Sequence, residues 1–192
     1  MDIVIRRAEP EEYPALGDIT AQAYLGDGLL DFGESDEYLG ELRNVAKRAA
    51  AADVLVAVEA VAAVEAFDAA DPAGAAVRGG GAPRGRLLGG VTFVPRGGPM
   101  AEISRADEAE IRMLAVTKEA RGHGVGTALV RACIDRARAV EGCGGIVLST
   151  QRTMHSAHRI YEHLGFTRAP GRDWNPVPHL DDIMLLSYEL TL

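Results

Sequence analysis

Cysteine is scarce in this chain of 192 residues, with only Cys133 and Cys143 present. The first falls inside a predicted helix and the second in the turn before a predicted strand, which leaves neither a disulfide framework nor metal-ligand spacing. Excess positive charge is also lacking. A formal net charge of −8 and a sequence pI of about 5.1 provide no basic stripe for a phosphate backbone, so nucleic acid is not expected as a partner. The acidic excess sits in the front half, with 16 acidic against 9 basic residues in 1–100 and 12 against 11 in 101–192. No apolar run approaches the ~18 residues of a membrane span, and Met1 to Arg7 holds no apolar segment of signal length. A cytoplasmic protein with no membrane association is therefore expected, and no internal repeat is present.

Two nucleotide-binding patterns are missing as well. A mononucleotide loop needs Gly-Lys-Ser/Thr, but Gly126 is followed directly by Thr127; a dinucleotide fingerprint needs a third glycine where this chain has Thr127 and Ala128 after Gly124-Val125-Gly126. What the chain does have is Arg121-Gly122-His123-Gly124-Val125-Gly126, lodged between the apolar run Ile111 to Val116 and a helical stretch from Val125 to Val140. A strand that stops in a glycine-rich turn and restarts as a helix leaves main-chain N–H groups unpaired, and glycine lets an anion approach them.

The pattern R-x-x-G-x-G resembles the pyrophosphate-binding motif of the acyl-CoA N-acyltransferase (GNAT) superfamily. A second stretch, Ala157-His-Arg-Ile160-Tyr161-Glu162-His-Leu-Gly165-Phe166, is similar to that family's A-x-x-(L/I)-Y-E-x-x-G-F segment, and the two motifs stand in the family's order and spacing over residues 109 to 170. The resemblance implies acetyl-CoA as cosubstrate, with no metal and no covalent intermediate. It implies that Gly122, His123, Gly124, Val125, Gly126 and Thr127 hold the diphosphate, with Arg121 adding a charge-assisted contact. It further implies that Leu114-Ala115-Val116 splay from the neighbouring strand and offer backbone groups to the pantetheine arm. One departure is Met154, where family members often carry an asparagine that contacts the coenzyme.

Tyr161 is the candidate general acid, able to hold a proton at neutral pH and deliver it to a departing thiolate. Glu110 is the candidate general base for an incoming ammonium. Tyr24 and Trp174 are candidate walls of an acceptor pocket, and the acidic run Asp27, Asp31, Glu34, Asp36, Glu37 is a candidate attractant for a cationic amine. His155, His158 and His163 have no partners at metal spacing and read as helix surface.

The periodicity predicts strands at Ile3 and Ile5, Val54 to Glu59, Leu87 to Val94, Ala109 to Val116, Gly144 to Ser149, Phe166 to Ala169 and Ile183 to Leu190. Helices are predicted from Pro10 through Tyr24, from Tyr38 to Ala51, from Val125 to Val140 and across Ala157 to Leu164, with a long mobile loop over 60–86. The fold class expected is one α/β (α+β) domain over 1–192, with a central mixed, mostly antiparallel sheet of about seven strands and helices on both faces. The expected activity is N-acetyl transfer from acetyl-CoA to a primary amine of a small molecule or peptide. The rival is a non-catalytic acyl-CoA-binding or regulatory domain, and assembly as a homodimer stays open.

Overall fold

Burial along the strands dictates the layering. Asp53–Glu59 (β2) and Leu87–Val94 (β3) are buried on both faces along nearly their whole length, so each needs cover above and below. They sit inside a seven-stranded sheet in this computed structural model, which describes residues 2–30, 32–60, 85–177 and 183–192. The remaining strands are Ile3–Arg7 (β1), Glu108–Val116 (β4), Gly145–Gln151 (β5), Thr167–Arg168 (β6) and Leu185–Thr191 (β7), in the order β1-β2-β3-β4-β5-β7-β6. Every neighbouring pair is antiparallel except β4 and β5. That parallel pair requires a crossover, supplied by the helix Val125–Ala139 (α4).

Two cores result. Leu55 and Ala57 of β2 pack with Leu129, Val130 and Cys133 of α4 and with Ala157 and Tyr161 of the helix His155–His163 (α5). The alternate residues Val54, Val56 and Val58 face the other way and meet Leu16 and Val45 from the helices Tyr13–Gly26 (α1) and Val45–Ala51 (α3). Helices thus cover both faces of a mixed, mostly antiparallel sheet. The buried side of α4 is wider than the sequence stripe, because Val130, Ile134 and Ala137 join Val125, Leu129 and Cys133 while Val140 lies past the helix end. Each fully buried Leu or Val contributes roughly 1.5–3 kcal/mol.

Several boundaries differ from the periodicity. The helix expected over 38–51 is two helices, Tyr38–Arg43 (α2) and α3, because Asn44 leaves helical geometry (φ −80°, ψ 67°) and its side chain accepts the Lys47 N–H at 3.0 Å. An asparagine that caps the second helix ends the first. Pro10–Glu12 forms a short 3₁₀ turn ahead of α1, and β6 shrinks to two residues beside β7. Nearly all of the expected 60–86 loop lies outside the described residues, as does Asp31. Among the described residues, no helix is long and apolar enough to cross a membrane.

One irregularity positions the site. Strand β4 pairs with β5 only from Glu108 to Ile111; from Arg112 to Val116 it pairs with β3 alone, and the β5 side of its backbone stands open. At the parting point the β3–β4 register slips by one residue, and Met113 takes φ +52°, a left-handed conformation costly for a side chain of this size.

Candidate active site

Beyond Val116 the chain makes a 3₁₀ turn at Lys118–Ala120, then passes through Gly122 (φ +79°) and Gly124 (φ +82°) into α4. Both glycines occupy backbone conformations that side chains rarely adopt, and a Cβ at either would project into open space. Gly124 is the N-cap and offers no side chain, and the first bond back to the turn is from the Ala128 N–H to the Gly124 carbonyl at 2.9 Å. Among the described residues, no protein acceptor meets the N–H groups of Val125, Gly126 or Thr127, so the opening 15-residue helix aims free donors and its positive end at one spot.

That spot is the wall of a cavity of about 940 Å³. Leu114, Ala115, Val116, Arg121, Gly122, Gly124, Val125, Gly126 and Thr127 line it together, along with Met154 and the α5 residues Ser156, Ala157, Arg159 and Ile160. His123 is not among the lining residues. It is exposed, with Nδ1 3.0 Å from the Arg121 carbonyl. Its ring is turned to its own loop.

Arg121 is already engaged. Its Nη1 and Nη2 donate to Oδ1 and Oδ2 of Asp27, just past the end of α1, at 2.7 and 3.0 Å, and its Nε donates to the Val116 carbonyl at 3.4 Å. Both partners of this ion pair are partly open to solvent, at 44% and 35%, and both line the cavity.

A second cavity of about 270 Å³ adjoins the first, sharing Tyr24, Leu29, Leu114 and Met154 with it. Tyr161 lines this smaller cavity, 4% exposed, its ring 5.9 Å from Phe166 and 5.8 Å from Tyr188. Burial pushes its phenol well above the ordinary tyrosine range, and the same cause raises Tyr24, so both keep their protons at neutral pH. Tyr24 thus walls both cavities. Trp174 is not among the lining residues and instead pairs through its backbone with Leu185.

Glu110 requires a correction. It lines neither cavity and is 2% exposed, and its Oε2 accepts the main-chain N–H groups of Glu102, Ile103 and Ser104 at 2.9, 3.0 and 3.1 Å. Three main-chain donors converge on that one oxygen and tie the carboxylate to the loop, away from both cavities. Glu110 is the anchor of the 102–104 loop. Its neighbours on the strand act alike. Arg112 donates to the Met100 carbonyl at 2.7 Å and pairs with Glu102 at 2.7 Å, while Glu108 accepts the Arg105 N–H at 2.8 Å and binds Arg172 at 2.6 Å. Burial pulls the Glu108 carboxyl upward, but the bonds from Arg172 and Arg105 outweigh it and hold the group below the usual range.

The sequence reading passed over Glu102 and Arg112, which line the smaller cavity, and Ser156 and Arg159, which line the larger. Helical spacing could have exposed the last two, since Ser156, Arg159, Ile160 and His163 follow i, i+3, i+4, i+7 on the face of α5 that meets the cavity. Met154, at the position where an asparagine was expected, lines both cavities, and its sulfur accepts the Thr150 hydroxyl at 3.4 Å. Cys133 is buried, its thiol pushed up to about 12 by that burial, and neither cysteine lines a cavity. Among the described residues, no three His, Cys, Asp or Glu side chains gather as a metal site.

Comparison with known proteins agrees with this architecture. A stretch of 59 residues is 48% identical to human N-alpha-acetyltransferase 30, covering 30% of this chain and 16% of that protein, so the chain spans only a small part of that relative. A GCN5-related N-acetyltransferase from Kribbella flavida superposes with a TM-score of 0.65 at 20% identity, over 99% of this chain and 98% of that one. The Salmonella typhimurium protein yncA, solved with its cofactor acetyl-CoA, superposes at 0.63 with 17% identity, over 100% and 95% of the two chains. The sequence model of the acetyltransferase (GNAT) family matches residues 45–166. The splayed strand, the glycine cradle and this match agree, and the chain belongs to the acetyltransferase (GNAT) family.

Proposed function

We propose that the protein transfers the acetyl group of acetyl-CoA to a primary amine by direct attack within a ternary complex. The observation that carries this reading is the junction of the two cavities at Tyr24, Leu29, Leu114 and Met154. One cavity offers free N–H donors and an open strand edge to a polyanion on an amide-bearing arm; the other offers a phenol. Two substrates can therefore be held at once on either side of Leu114.

In this reading the N–H groups around Gly124 to Thr127 receive the diphosphate, at roughly 0.3–1 kcal/mol per favourable charge and more where water is excluded. Gly122 gives the room for that approach. The unpaired edge of Leu114 to Val116 takes the amides of the pantetheine arm as an added strand would. The amine nitrogen attacks the thioester carbonyl, the C–S bond breaks, the sulfur takes the Tyr161 proton, and the proton shed by the new amide nitrogen restores the phenol.

The amine must first lose a proton. An ammonium with an ordinary pKa near 10.4 stands about 3.4 units above pH 7, which costs roughly 4.6 kcal/mol. With Glu110 committed to the 102–104 loop, that proton passes to solvent, so the rate rises about tenfold per pH unit until the amine's own pKa is reached.

The test is release of free thiol from acetyl-CoA in the presence of amines, with Tyr161→Phe beside the wild type. Turnover is expected to fall by about 10²-fold or more while acetyl-CoA affinity is preserved. Equal turnover in both proteins would remove Tyr161 from the chemistry, and coenzyme binding without thiol release across all amines would leave an acyl-CoA-binding domain in place of an enzyme.

A further inference from the structure

We infer that the smaller cavity selects compact, apolar primary amines that carry no free carboxylate, and turns away free amino acids and polyamines. This inference rests on the acetyl-transfer reading and adds the acceptor class to it.

Size sets the first limit. About 270 Å³ is room for roughly nine waters, hence for an amine of about that many heavy atoms. Leu30, Ile111, Met113, Val177 and Leu185 make most of its walls apolar. A polyamine such as spermidine keeps two ammonium groups besides the attacking nitrogen, and of the described lining residues only Asp36 is left to balance them, since Glu102 already pairs with Arg112; the other would be buried at a large desolvation cost.

Charge sets the second limit. Among the described residues, the cavity is lined by one cation, Arg112, and two anions, Glu102 and Asp36. Arg112 is not free to receive a substrate carboxylate. Its Nη1 holds the Met100 carbonyl, its Nη2 lies 2.7 Å from Glu102 Oε2, and its Nε faces Glu110 at 4.0 Å. Asp36 accepts the Tyr38 N–H at 2.9 Å and the Phe32 N–H at 3.5 Å, and among the described residues no cation pairs with it. An entering carboxylate thus meets one unbalanced acid, Asp36, and a guanidinium already paired with Glu102. An ammonium meets Asp36 together with the rings of Tyr24 and Tyr38, whose centroids lie 6.3 Å apart.

The experiment compares isopentylamine, leucine and spermidine as acceptors for the full chain. Isopentylamine is leucine without its carboxylate. It is also the more basic of the two, so a preference for it comes from the cavity and not from a larger supply of free amine. The expected kcat/KM for isopentylamine exceeds those for leucine and spermidine by at least about tenfold. In Glu102→Gln, Arg112 gains a free face and the isopentylamine-to-leucine ratio falls by at least about threefold. The same amines are titrated calorimetrically into the protein bound to coenzyme A, which reads the cavity without turnover.

Leucine or spermidine used as well as isopentylamine, with thiol released, overturns this inference and leaves acetyl transfer standing. Selective binding of isopentylamine without thiol release keeps the cavity assignment and sinks acetyl transfer. Neither binding nor turnover of any of the three overturns the inference, and a ratio unmoved in Glu102→Gln removes Glu102 from the selection.

Discussion

Replacing Asp27 with asparagine is expected to tighten coenzyme binding, a sign opposite to that for most substitutions in a ligand site. The Asp27 carboxylate holds the two outer nitrogens of Arg121 at 2.7 and 3.0 Å, and the Val116 carbonyl takes Nε at 3.4 Å. End-on and side-on edges of the guanidinium are therefore both used, and no intact two-donor edge remains for a phosphate. In the proposed reading the diphosphate must break the pair or bind without it. Because both side chains are partly exposed, breaking the pair costs only about 0.2–1 kcal/mol. The carboxylate left behind lines the same cavity. At about 8 Å from a phosphate charge in water it adds roughly 0.5 kcal/mol of repulsion before screening.

Together these come to about 1 kcal/mol, or about a fivefold lower Kd for acetyl-CoA in Asp27→Asn. Isothermal titration at low and at high salt is the assay, and the gain should shrink as salt screens both contributions. Arg121→Gln closes a double-mutant cycle, because the benefit of Asp27→Asn depends on the arginine it frees. A weaker-binding Asp27→Asn would refute the reasoning, since it would mean that Asp27 orients Arg121 for the ligand and does not compete with it. A gain that persists in the Arg121→Gln background would refute the release of Arg121 as its source.

Two further outcomes follow from the site. Glu110→Gln replaces a charge-assisted acceptor of three N–H groups by a neutral one, so stability in denaturant should fall by about 1–2 kcal/mol with the pH–rate profile unchanged in shape; a lost ascending limb would restore Glu110 as a base. Gly124→Val forces a β-branched residue to φ +82° and places methyl groups where the diphosphate is proposed to sit, so coenzyme affinity should drop by more than about tenfold; unchanged calorimetry would remove the cradle from coenzyme binding.

The sequence shows the cradle because its signal is local. Gly122 and Gly124 are needed for positive φ, a helix begins directly after them, and a strand ends shortly before, all within a dozen residues. The layered sheet was legible for a similar reason, as alternate residues of β2 really do face two different cores. Glu110 was not legible, because a carboxylate on a strand reads equally as base or anchor until the fold of residues 102–104 is known. The Asp27–Arg121 pair joins residues 94 positions apart, and neither periodicity nor spacing bears on such a contact. Glu102 escaped notice in a loop with no motif, and it became visible only through Arg112 and the cavity they share.

The bulge at Met113 explains how one strand borders both cavities. Ahead of it, Ala109 and Ile111 face the α4 core, while Glu108, Glu110 and Arg112 at alternate positions hold the 100–105 loop beside the smaller cavity. One extra residue reverses the alternation. Beyond the slip it is Leu114 and Val116 that pack against the α4 core, and Met113 itself turns to Ala21, Leu39 and Leu42 under α1 and α2. In a regular strand, Leu114 and Val116 would continue the face of Glu110 and Arg112, and the pairing with β5 would have no reason to stop at Ile111. The strain at one non-glycine residue is thus coupled to the open backbone edge, and it separates a charged half of β4 that holds the loop beside the smaller cavity from an apolar half that lines the larger one.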